Sequence, residues 1–445
     1  MSDEIPLTSL NISREEVEAI ASLLRSTRVG ATVDAFEQTM AALMNRPHCI
    51  STGSLGTAIE VAMAAFGLQA GDQVIVPAIG ARGAASAARR LGAEAVAVDV
   101  DPLTLCMRVE EAESVITDRT RMIVGSAALG CPDGMQKLAT LATRSEFPLL
   151  ELVGSAIGAR IAGEPLGQFG RVAVLDLGAT SPICTGTGGL ILTHDDHLER
   201  AARSIRSESR AVGPGGRLSS MSSGMDAPFD DIRAAVGMSR LGRLDQVIER
   251  REELAGLYIR RLGGHSDLML QSPPASVKMG WCHMLVRLSD RFSDQDRDEI
   301  IKGMGRHEIA TSSVLEVASV TNYPAPVGGG PCPVAERAMV RSICLPFHED
   351  LREDEIDLIC QTLTNIGFTP IIPEGAYYVL CDVSKLGHND SKAAAMQILN
   401  EAKVAGVPGR SFYQSELGQN IVRFCFAAED EAIERACEHL TKAFG

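Results

Sequence analysis

Polar side chains suited to binding or chemistry lie close to two short apolar runs of this chain. Asp176, Thr180 and Ser181 lie at or just after one β-branched run, and Ser155 lies just after an earlier one. Carboxylates and hydroxyls together suit amines and sugars, because carboxylates accept hydrogen bonds from ammonium groups and hydroxyls both donate and accept them. If the fold brings them together, these residues would suit a small-molecule ligand that is cationic or polyhydroxylated. The alternative is that they are polar residues of a cavity that binds nothing.

The eleven cysteines form no recognisable framework. They are scattered, odd in number and contain no Cys-x-x-Cys pair, so they predict neither a disulfide scaffold nor a zinc site. Cys184 is close enough to Ser181 in sequence to be considered as a nucleophile. No histidine lies near it in the sequence, however, and a core cysteine is favoured. Most of the cysteines are expected to be small core residues in a reducing cytoplasm.

The elements that position these polar residues alternate along the first 200 residues. Short β-branched runs alternate with alanine-rich stretches of helical character, a pattern typical of βα units and of a mainly parallel sheet covered by helices on both faces. The fold class is therefore α/β. The predicted strands are 73–76, 94–98, 122–124, 149–152, 172–176 and 189–193.

Four further segments have a clear local pattern. A Ser-x-x-Glu capping box predicts an N-terminal helix over residues 12–26. Apolar residues at i, i+3 and i+4 predict one long helix over 231–261. The segment 207–224 is rich in glycine and serine and predicts a mobile loop. Residues 280–365 mix strand and helix patterns, as a smaller α+β domain would.

Composition excludes several classes of partner. The chain has 445 residues and a formal net charge of -15, which argues against nucleic acid and against an anionic membrane surface. No stretch approaches the length of a membrane span, and the N-terminus lacks the apolar core of a signal peptide. These features predict a soluble cytoplasmic protein.

Seven stretches, in order and with matching spacing, carry a family resemblance. From about residue 5 to 365 the chain resembles the DegT/DnrJ/EryC1/StrS aminotransferases, which make amino sugars and related antibiotic precursors. The resemblance implies the type I fold of pyridoxal-phosphate (PLP) transferases, a sheet sandwiched by helices. It also implies a homodimer with active sites between the subunits, or a heterodimer with an active homologue. The matching stretches are GATVDAFE (30–37), GDQVIVPAI (71–79), LGAEAVAVDVDPLT (91–104), SAIGARIAGEPLGQFG (155–170), TGTGGLILT (185–193), AAVGMSRLGRLD (234–245) and LPFHEDLREDEID (345–357).

The last 80 residues resemble a different lineage. The stretches PEGAYYVLCDVSKL, VAGVPGRSFY and NIVRFCFA are similar to the C-terminal small domain of the aspartate and kynurenine class of aminotransferases. Because the first resemblance is complete by about residue 365, this tail is predicted to be an appended folded lobe. The predicted domains are a large domain (1–254), a small α+β domain (255–365) and an appended α/β lobe (366–445).

One arginine of the tail is a candidate substrate ligand. Arg423 matches the arginine that grips the substrate α-carboxylate in the class the tail resembles, and a guanidinium suits that task because its planar fork pairs bidentately with a carboxylate. Gly375 and Tyr377 belong to the same motif. An arginine with a structural part in a strand is the alternative.

The resemblance also locates the residues that a PLP transaminase needs, and this chain has other residue types there. The enzyme needs a lysine to bind the cofactor and a carboxylate beside the pyridine nitrogen. The lysine lies four residues before the first threonine of a T-G-E-G-G run, here Thr185, so its position is Ser181. The carboxylate position is Leu152, and the aromatic residue that stacks on the ring falls at Ala81.

The predicted phosphate cradle is altered as well. Asp176 replaces a serine, and Asp226 replaces an asparagine that reaches across from the second subunit. Two carboxylates facing a phosphate dianion would repel it by several kcal/mol in a partly desolvated cleft. We therefore expect no bound PLP, no metal and no ordinary transamination.

The vacated cleft is expected to be lined by polar residues from both subunits. His283 falls at a position that is usually structural in the family, and a core histidine is favoured there. The expected lining is Asp176, Thr180, Ser181, Ser155, Arg82 and, from the partner chain, Asp226.

Three functional hypotheses follow. The first is a PLP-independent enzyme of natural-product or amino-sugar biosynthesis that reuses the dimer cleft. The second is a non-catalytic partner or scaffold of an active aminotransferase. The third is an atypical transaminase whose lysine comes from elsewhere, with Lys137, Lys278 and Lys302 as candidates.

Overall fold

The computed structural model of this chain contains two compact units, Met1–Cys360 and Gln361–Gly445. The domain boundaries expected after residues 254 and 365 stay predictions. Gly375, Tyr377 and most of the predicted loop 207–224 lie outside the residues that the structure describes. The described residues are 4–9, 12–25, 30–127, 129–207, 210–212, 218–220, 224–313, 328–366, 378–388, 390–411, 418–425 and 430–444.

The strands, in chain order, are β1 (His48–Thr52), β2 (Gln73–Pro77), β3 (Glu94–Val98), β4 (Thr120–Ser126), β5 (Leu149–Gly154), β6 (Arg160–Ile161), β7 (Glu164–Pro165), β8 (Val172–Asp176), β9 (Gly189–Thr193), β10 (Arg210–Val212), β11 (Leu218–Ser220), β12 (Leu268–Leu270), β13 (Val277–Lys278), β14 (Met284–Leu288), β15 (Gly328–Gly329), β16 (Ser342–Leu345), β17 (Tyr378–Asp382), β18 (Val407–Pro408) and β19 (Ile421–Cys425). All six strands predicted from β-branched runs are confirmed, as β2, β3, β4, β5, β8 and β9.

The α-helices are α1 (Arg14–Leu24), α2 (Ala31–Leu43), α3 (Leu55–Ala65), α4 (Arg82–Arg90), α5 (Val109–Ser114), α6 (Met135–Arg144), α7 (Asp196–Arg206), α8 (Asp231–Leu241), α9 (Leu244–Leu262), α10 (Asp294–Arg306), α11 (Pro333–Arg341), α12 (Glu353–Ile366), α13 (Ser391–Ala402) and α14 (Asp430–Phe444). Ser384–Leu386 and Gly409–Ser411 form short 3₁₀ turns. The predicted capping box is confirmed, because Ser13 and Glu16 bond each other's backbone N–H groups at the start of α1. No helix among these described residues is long and apolar enough to cross a membrane.

The main sheet joins eight of the described strands in the order β1-β9-β8-β5-β4-β2-β3-β15. Every pair from β8 to β15 is parallel, whereas β9 pairs antiparallel with both of its neighbours, β8 and the edge strand β1. Successive residues of the strands enter opposite apolar clusters: Val74 and Leu150 pack with helices α3 and α4, whereas Ile75 and Leu149 pack with α2 and α6. The sheet is therefore buried on both faces, as the α/β prediction requires.

The prediction of a single helix over 231–261 is wrong, because the helix breaks into α8 and α9. The break falls at Gly242, whose missing side chain lowers helix propensity. Across it, Arg240 and Arg243 both reach the buried carboxylate of Glu16 in α1, at 3.0 and 2.6 Å.

Smaller sheets complete the two units. In the first unit, β12-β14-β16 and β13-β6-β7 form three-stranded sheets, and β10 pairs with β11 inside the segment predicted as a loop. In the second unit, β19 lies between β17 and β18 in an antiparallel sheet. Val383, Ile398 and Val422 form the buried centre of this unit, with Phe424 and Leu440 packed against them. The predicted appended lobe thus has its own apolar core.

Candidate functional site

Two polar residues meet at the carboxyl edge of the main sheet. Strands β5 and β8 are parallel neighbours, with Leu152 opposite Val174. Their carboxyl ends therefore lie at the same edge, which is where open α/β sheets usually bind ligands. Asp176 is the last residue of β8, and Ser155 directly follows β5.

Ser155, Asp176 and Thr180 form one hydrogen-bonded cluster, which we call the carboxylate cluster. The Ser155 hydroxyl donates to Asp176 Oδ2 at 3.3 Å, and it lies 2.8 Å from Thr180 Oγ1. The backbone N–H of Gly178 donates to Asp176 Oδ1 at 2.9 Å. The structure thus brings these three residues together, and their part in a ligand site stays a prediction.

The Asp176 carboxylate is held by neutral donors. Among the described residues, no cationic side chain forms an ion pair with it. Burial raises the pKa of Asp176, and the hydrogen bonds from Gly178, Ser155 and Leu177 only partly oppose this effect. A carboxylate of this kind attracts a cation and accepts a proton more readily than an exposed one.

Ser181 lies in the turn that follows, but it does not bond the carboxylate cluster. Its side chain is 2% exposed, and its hydroxyl accepts a weak hydrogen bond from the Ile183 N–H at 3.4 Å. Its backbone N–H donates to Gly178 O, and its carbonyl accepts from Cys184 N. Its described contacts are therefore those of a buried turn residue.

Arg251 fixes this turn and was missed by the sequence analysis. It lies on α9, is 5% exposed, and donates through Nη1 to the carbonyl of Thr180 at 2.7 Å. The same nitrogen lies 3.4 Å from the carbonyl of Trp281, and Nη2 pairs with Glu349 at 3.2 Å. The periodicity of α9 places Arg251 on its buried face, but no sequence signal names Thr180 as its partner.

The strand that precedes Ser155 carries a leucine and a buried glutamate. Leu152 is 3% exposed and belongs to the apolar core beneath the sheet. The preceding Glu151 is fully buried and accepts hydrogen bonds from the N–H groups of Phe169 and Gly170, each at 2.9 Å, and from that of Gly167 at 2.5 Å. Burial raises the pKa of Glu151. Glu151 therefore orders a loop behind the sheet.

The remaining predicted site residues lie on other elements. Arg82 is the half-buried first residue of α4, directly after the fully buried Ala81. Asp226 is exposed and forms an isolated backbone bridge with Ser207. Arg423 lies half-buried in β19 of the second unit, opposite Leu380.

Cys184 and His283 have the environments of core residues. Cys184 is 2% exposed, its sulfur accepts from the Gly186 N–H at 3.3 Å, and burial raises the pKa of its thiol. His283 is half-buried, with Nδ1 3.3 Å from the sulfur of Cys282. Burial and the Arg251 charge lower the pKa of His283 to about 4. Eight of the eleven cysteines are buried, in agreement with the composition.

The first unit has three lysines, and all of them are described. Lys137 is exposed on α6. Lys278 pairs with Glu252 and Lys302 with Glu299, each at 2.8 Å, and both lysine side chains are substantially exposed. None of the three lies in the turn that contains Ser181.

Two aminotransferase family profiles and a named relative match this chain. The profile of the DegT/DnrJ/EryC1/StrS aminotransferase family matches residues 10–364, and that of class I and II aminotransferases matches residues 338–440. A protein named GDP-perosamine synthase, from Caulobacter vibrioides, is 28% identical over 340 residues, which are 76% of this chain and 91% of that protein.

Two solved structures are similar to the fold over most of the chain. The aminotransferase TlmJ from Streptoalloteichus hindustanus has a TM-score of 0.75 at 24% identity, covering 81% of this chain and 98% of its own. DesV from S. venezuelae, solved in complex with a ketimine intermediate, has a TM-score of 0.74 at 26% identity, covering 82% and 98%. The type I transferase fold is thus shown, together with the predicted family resemblance.

Proposed function

This chain belongs to the DegT/DnrJ/EryC1/StrS aminotransferase family, and we propose that it is a member that works without PLP. In this proposal the cleft binds a cationic or polyhydroxylated small molecule of amino-sugar or natural-product biosynthesis. The carboxylate cluster carries the proposal: Asp176 is a partly buried carboxylate with neutral donors, at the position where the family resemblance expects a phosphate group.

The residues present do not fit PLP. The family's lysine position is the buried Ser181, whose hydroxyl cannot form the covalent bond that holds the cofactor. The pyridine carboxylate position is Leu152, which is packed in the apolar core and offers the ring nitrogen no hydrogen bond. A phosphate dianion near Asp176 would meet another negative charge, and Coulomb repulsion is strong in a partly buried cleft.

A substitute lysine is not supported by the first unit. Lys137, Lys278 and Lys302 are exposed, and the last two are engaged in surface ion pairs. An aminotransferase lysine must instead approach the reacting carbon directly. The atypical-transaminase hypothesis therefore has no described residue of the first unit to carry it.

The chemistry of the cluster suits an amino sugar. An ammonium group would pair with Asp176, and sugar hydroxyls would exchange hydrogen bonds with Ser155 and Thr180. The raised pKa of Asp176 also suits it to accept a proton from the ligand. The name of the relative GDP-perosamine synthase refers to an amino sugar joined to a nucleotide, which supports the same ligand class.

We expect the functional protein to be a dimer, as the family resemblance implies. In that arrangement Asp226 of one subunit would add a second carboxylate to the other subunit's cleft, and its exposure in the protomer leaves it accessible for this role. A monomer in light scattering at micromolar concentration would contradict the shared cleft.

The first test is the cofactor. Protein titrated with PLP and then freed of unbound PLP by gel filtration should be colourless, because no lysine of the cleft can form the yellow adduct. A stoichiometric yellow species that borohydride fixes onto a lysine would refute the proposal.

The second test is the ligand. Free amino sugars and nucleotide-linked amino sugars should bind in calorimetry, and Asp176→Asn should weaken that binding at least about tenfold, since a charge-assisted hydrogen bond is worth roughly 1.5 to 3 kcal/mol. Asp118→Asn is the matched control, because Asp118 is exposed in the turn before β4. If Asp176→Asn and Asp118→Asn bound these sugars as the native protein does, the cluster would not be the site.

A further inference from the structure

A polar cavity that shares no residue with the carboxylate cluster lies in the first unit. It has a volume of about 250 Å³ and lies between the turn after β3, strand β14 and helix α11. Leu103, Met269, Leu288 and Val334 give it apolar walls, and three arginines line it together with Asp290. Three guanidinium groups around one cavity are unexpected on a chain with a formal net charge of -15.

Arg287 is the unusual member of the three. It lies on β14 between Met269 of β12 and Ser342 of β16, in a strand whose residues are all buried. Its side chain is only 5% exposed, yet its Nε atom has no hydrogen-bond partner. A buried donor of this kind costs free energy unless something accepts its hydrogen bond. Burial lowers the pKa of Arg287, but a guanidinium stays charged at neutral pH.

The other two arginines lie on α11, one helical turn apart. Arg337 is exposed, and its described hydrogen bond is to the carbonyl of Pro333 at 3.2 Å. Arg341 pairs with Asp290 and donates to the carbonyl of Phe292 at 2.9 Å. Arg341 is therefore already neutralised, whereas Arg337 forms no ion pair with a described residue.

Two carboxylates lie near these arginines, and neither satisfies Arg287. Asp101 attracts the charge of Arg287 only at longer range. Its Oδ1 atom already accepts hydrogen bonds from the N–H groups of Leu103 and Thr104, at 2.8 and 2.9 Å. The Asp290 side chain is 88% exposed and is engaged by Arg341. The cavity thus holds one buried and one exposed guanidinium that can still bind an anion.

We propose that this cavity binds a small molecule with an oxyanion head, phosphate or carboxylate, and an apolar body. Arg287 and Arg337 bind the head, because guanidinium groups match the planar or tetrahedral oxygens of such anions. The apolar body packs against Leu103, Met269 and Val334. This site is independent of the carboxylate cluster, which attracts the opposite charge.

The test uses the full chain and three probes: inorganic phosphate, phenyl phosphate and phenylacetate. Phenyl phosphate or phenylacetate should bind with a dissociation constant in the range of about 1 mM or below, and more tightly than inorganic phosphate because of the apolar walls. Preference between the two phenyl probes tells whether the head group is a phosphate or a carboxylate.

Two variants and a control make the result decisive. Arg287→Met keeps the stem and removes the unsatisfied charge, so it should abolish probe binding and leave the melting temperature of the ligand-free protein equal or higher. Arg337→Ala, at the exposed rim, should weaken binding at least about fivefold without affecting folding. Arg306→Ala, an exposed arginine on α10, is the control and should bind as the native protein does.

If neither phenyl probe binds at about 10 mM, or if Arg337→Ala binds them as tightly as Arg306→Ala, the cavity is not an anion site. Binding that Arg287→Met leaves unchanged would lead to the same conclusion.

Discussion

Arg251→Met is expected to destabilise the protein and to disturb the carboxylate cluster. The native guanidinium makes a 2.7 Å hydrogen bond to the Thr180 carbonyl, a 3.2 Å ion pair with Glu349 and a weak 3.4 Å contact with the Trp281 carbonyl. Methionine keeps the apolar stem but makes none of these contacts.

The size of the effect follows from these contacts. Hydrogen bonds from a charged donor contribute roughly 1.5 to 3 kcal/mol each, and breaking a buried ion pair costs roughly 3 to 5 kcal/mol. Glu349 is 30% exposed on its side chain, so water compensates for part of its loss. The Nε atom of Arg251 has no partner, and its removal relieves a small cost. We therefore expect a loss of about 3 kcal/mol.

The assay is urea unfolding at pH 7, followed by fluorescence of Trp281, whose carbonyl Arg251 contacts. Arg260→Met on the same helix is the matched control, because Arg260 is exposed and should change stability by less than about 0.5 kcal/mol. Arg251→Lys should fall between the two, since an ammonium group cannot reach two acceptors in the same plane. A loss below about 1 kcal/mol for Arg251→Met would refute the view that this residue holds the turn.

Three other predictions test the site. Ser181→Lys alone should give no PLP adduct in absorbance, because Leu152 and Asp176 would still exclude the cofactor; robust turnover with PLP would disprove this. Asp176→Asn should raise the melting temperature more at pH 7 than at pH 4. A carboxyl whose pKa is raised in the folded state makes the native protein less stable as pH rises through that pKa. A variant that melts at or below the native temperature at pH 7 would count against a desolvated carboxylate. His283→Gln should flatten the pH dependence of urea unfolding. The pKa of His283 is about 4 in the folded protein and 6.5 in the unfolded chain, so the native protein loses roughly 2 to 3 kcal/mol of stability as pH falls from 6.5 to 4. An unchanged profile would show that His283 stays solvated.

The sheet could be predicted from the sequence because its strands are buried on both faces. Continuous β-branched runs such as 172–176 are typical of strands buried on both faces, so their positions follow from pattern, whereas the grouping of polar residues at their carboxyl ends was expected from the family resemblance. The break between α8 and α9 could not be predicted in this way. Periodicity continues across it, and a single glycine such as Gly242 lowers helix propensity without excluding a helix, so the break is seen only in the structure.

Burial and contacts that only the structure reveals explain why the sequence did not indicate Arg251 and Arg287. Arginines in amphipathic helices and strands are most often surface residues, and sequence periodicity alone does not distinguish a buried guanidinium from an exposed one. Arg251 is satisfied mainly by backbone carbonyls, which carry no sequence signal. Arg287 is recognised only because its donor has no partner, and that requires the structure.

The proposal that Ser181 takes the family's lysine position rests on the register of the glycines that follow it, and both of these glycines are tightly packed. A β-carbon added at Gly189 would lie 2.7 Å from both the Cβ of Ala58 and the carbonyl oxygen of Ser54, so a larger residue does not fit there. Gly188 has a φ of 153°, and a β-carbon added there would lie 2.8 Å from the ring of Phe229. Neither position accepts a larger residue, so we expect this glycine pair to mark the same turn as the T-G-E-G-G run of the family. In this proposal Ser181 takes the lysine position, and the chemistry of the cleft depends on Asp176 and its neutral donors instead.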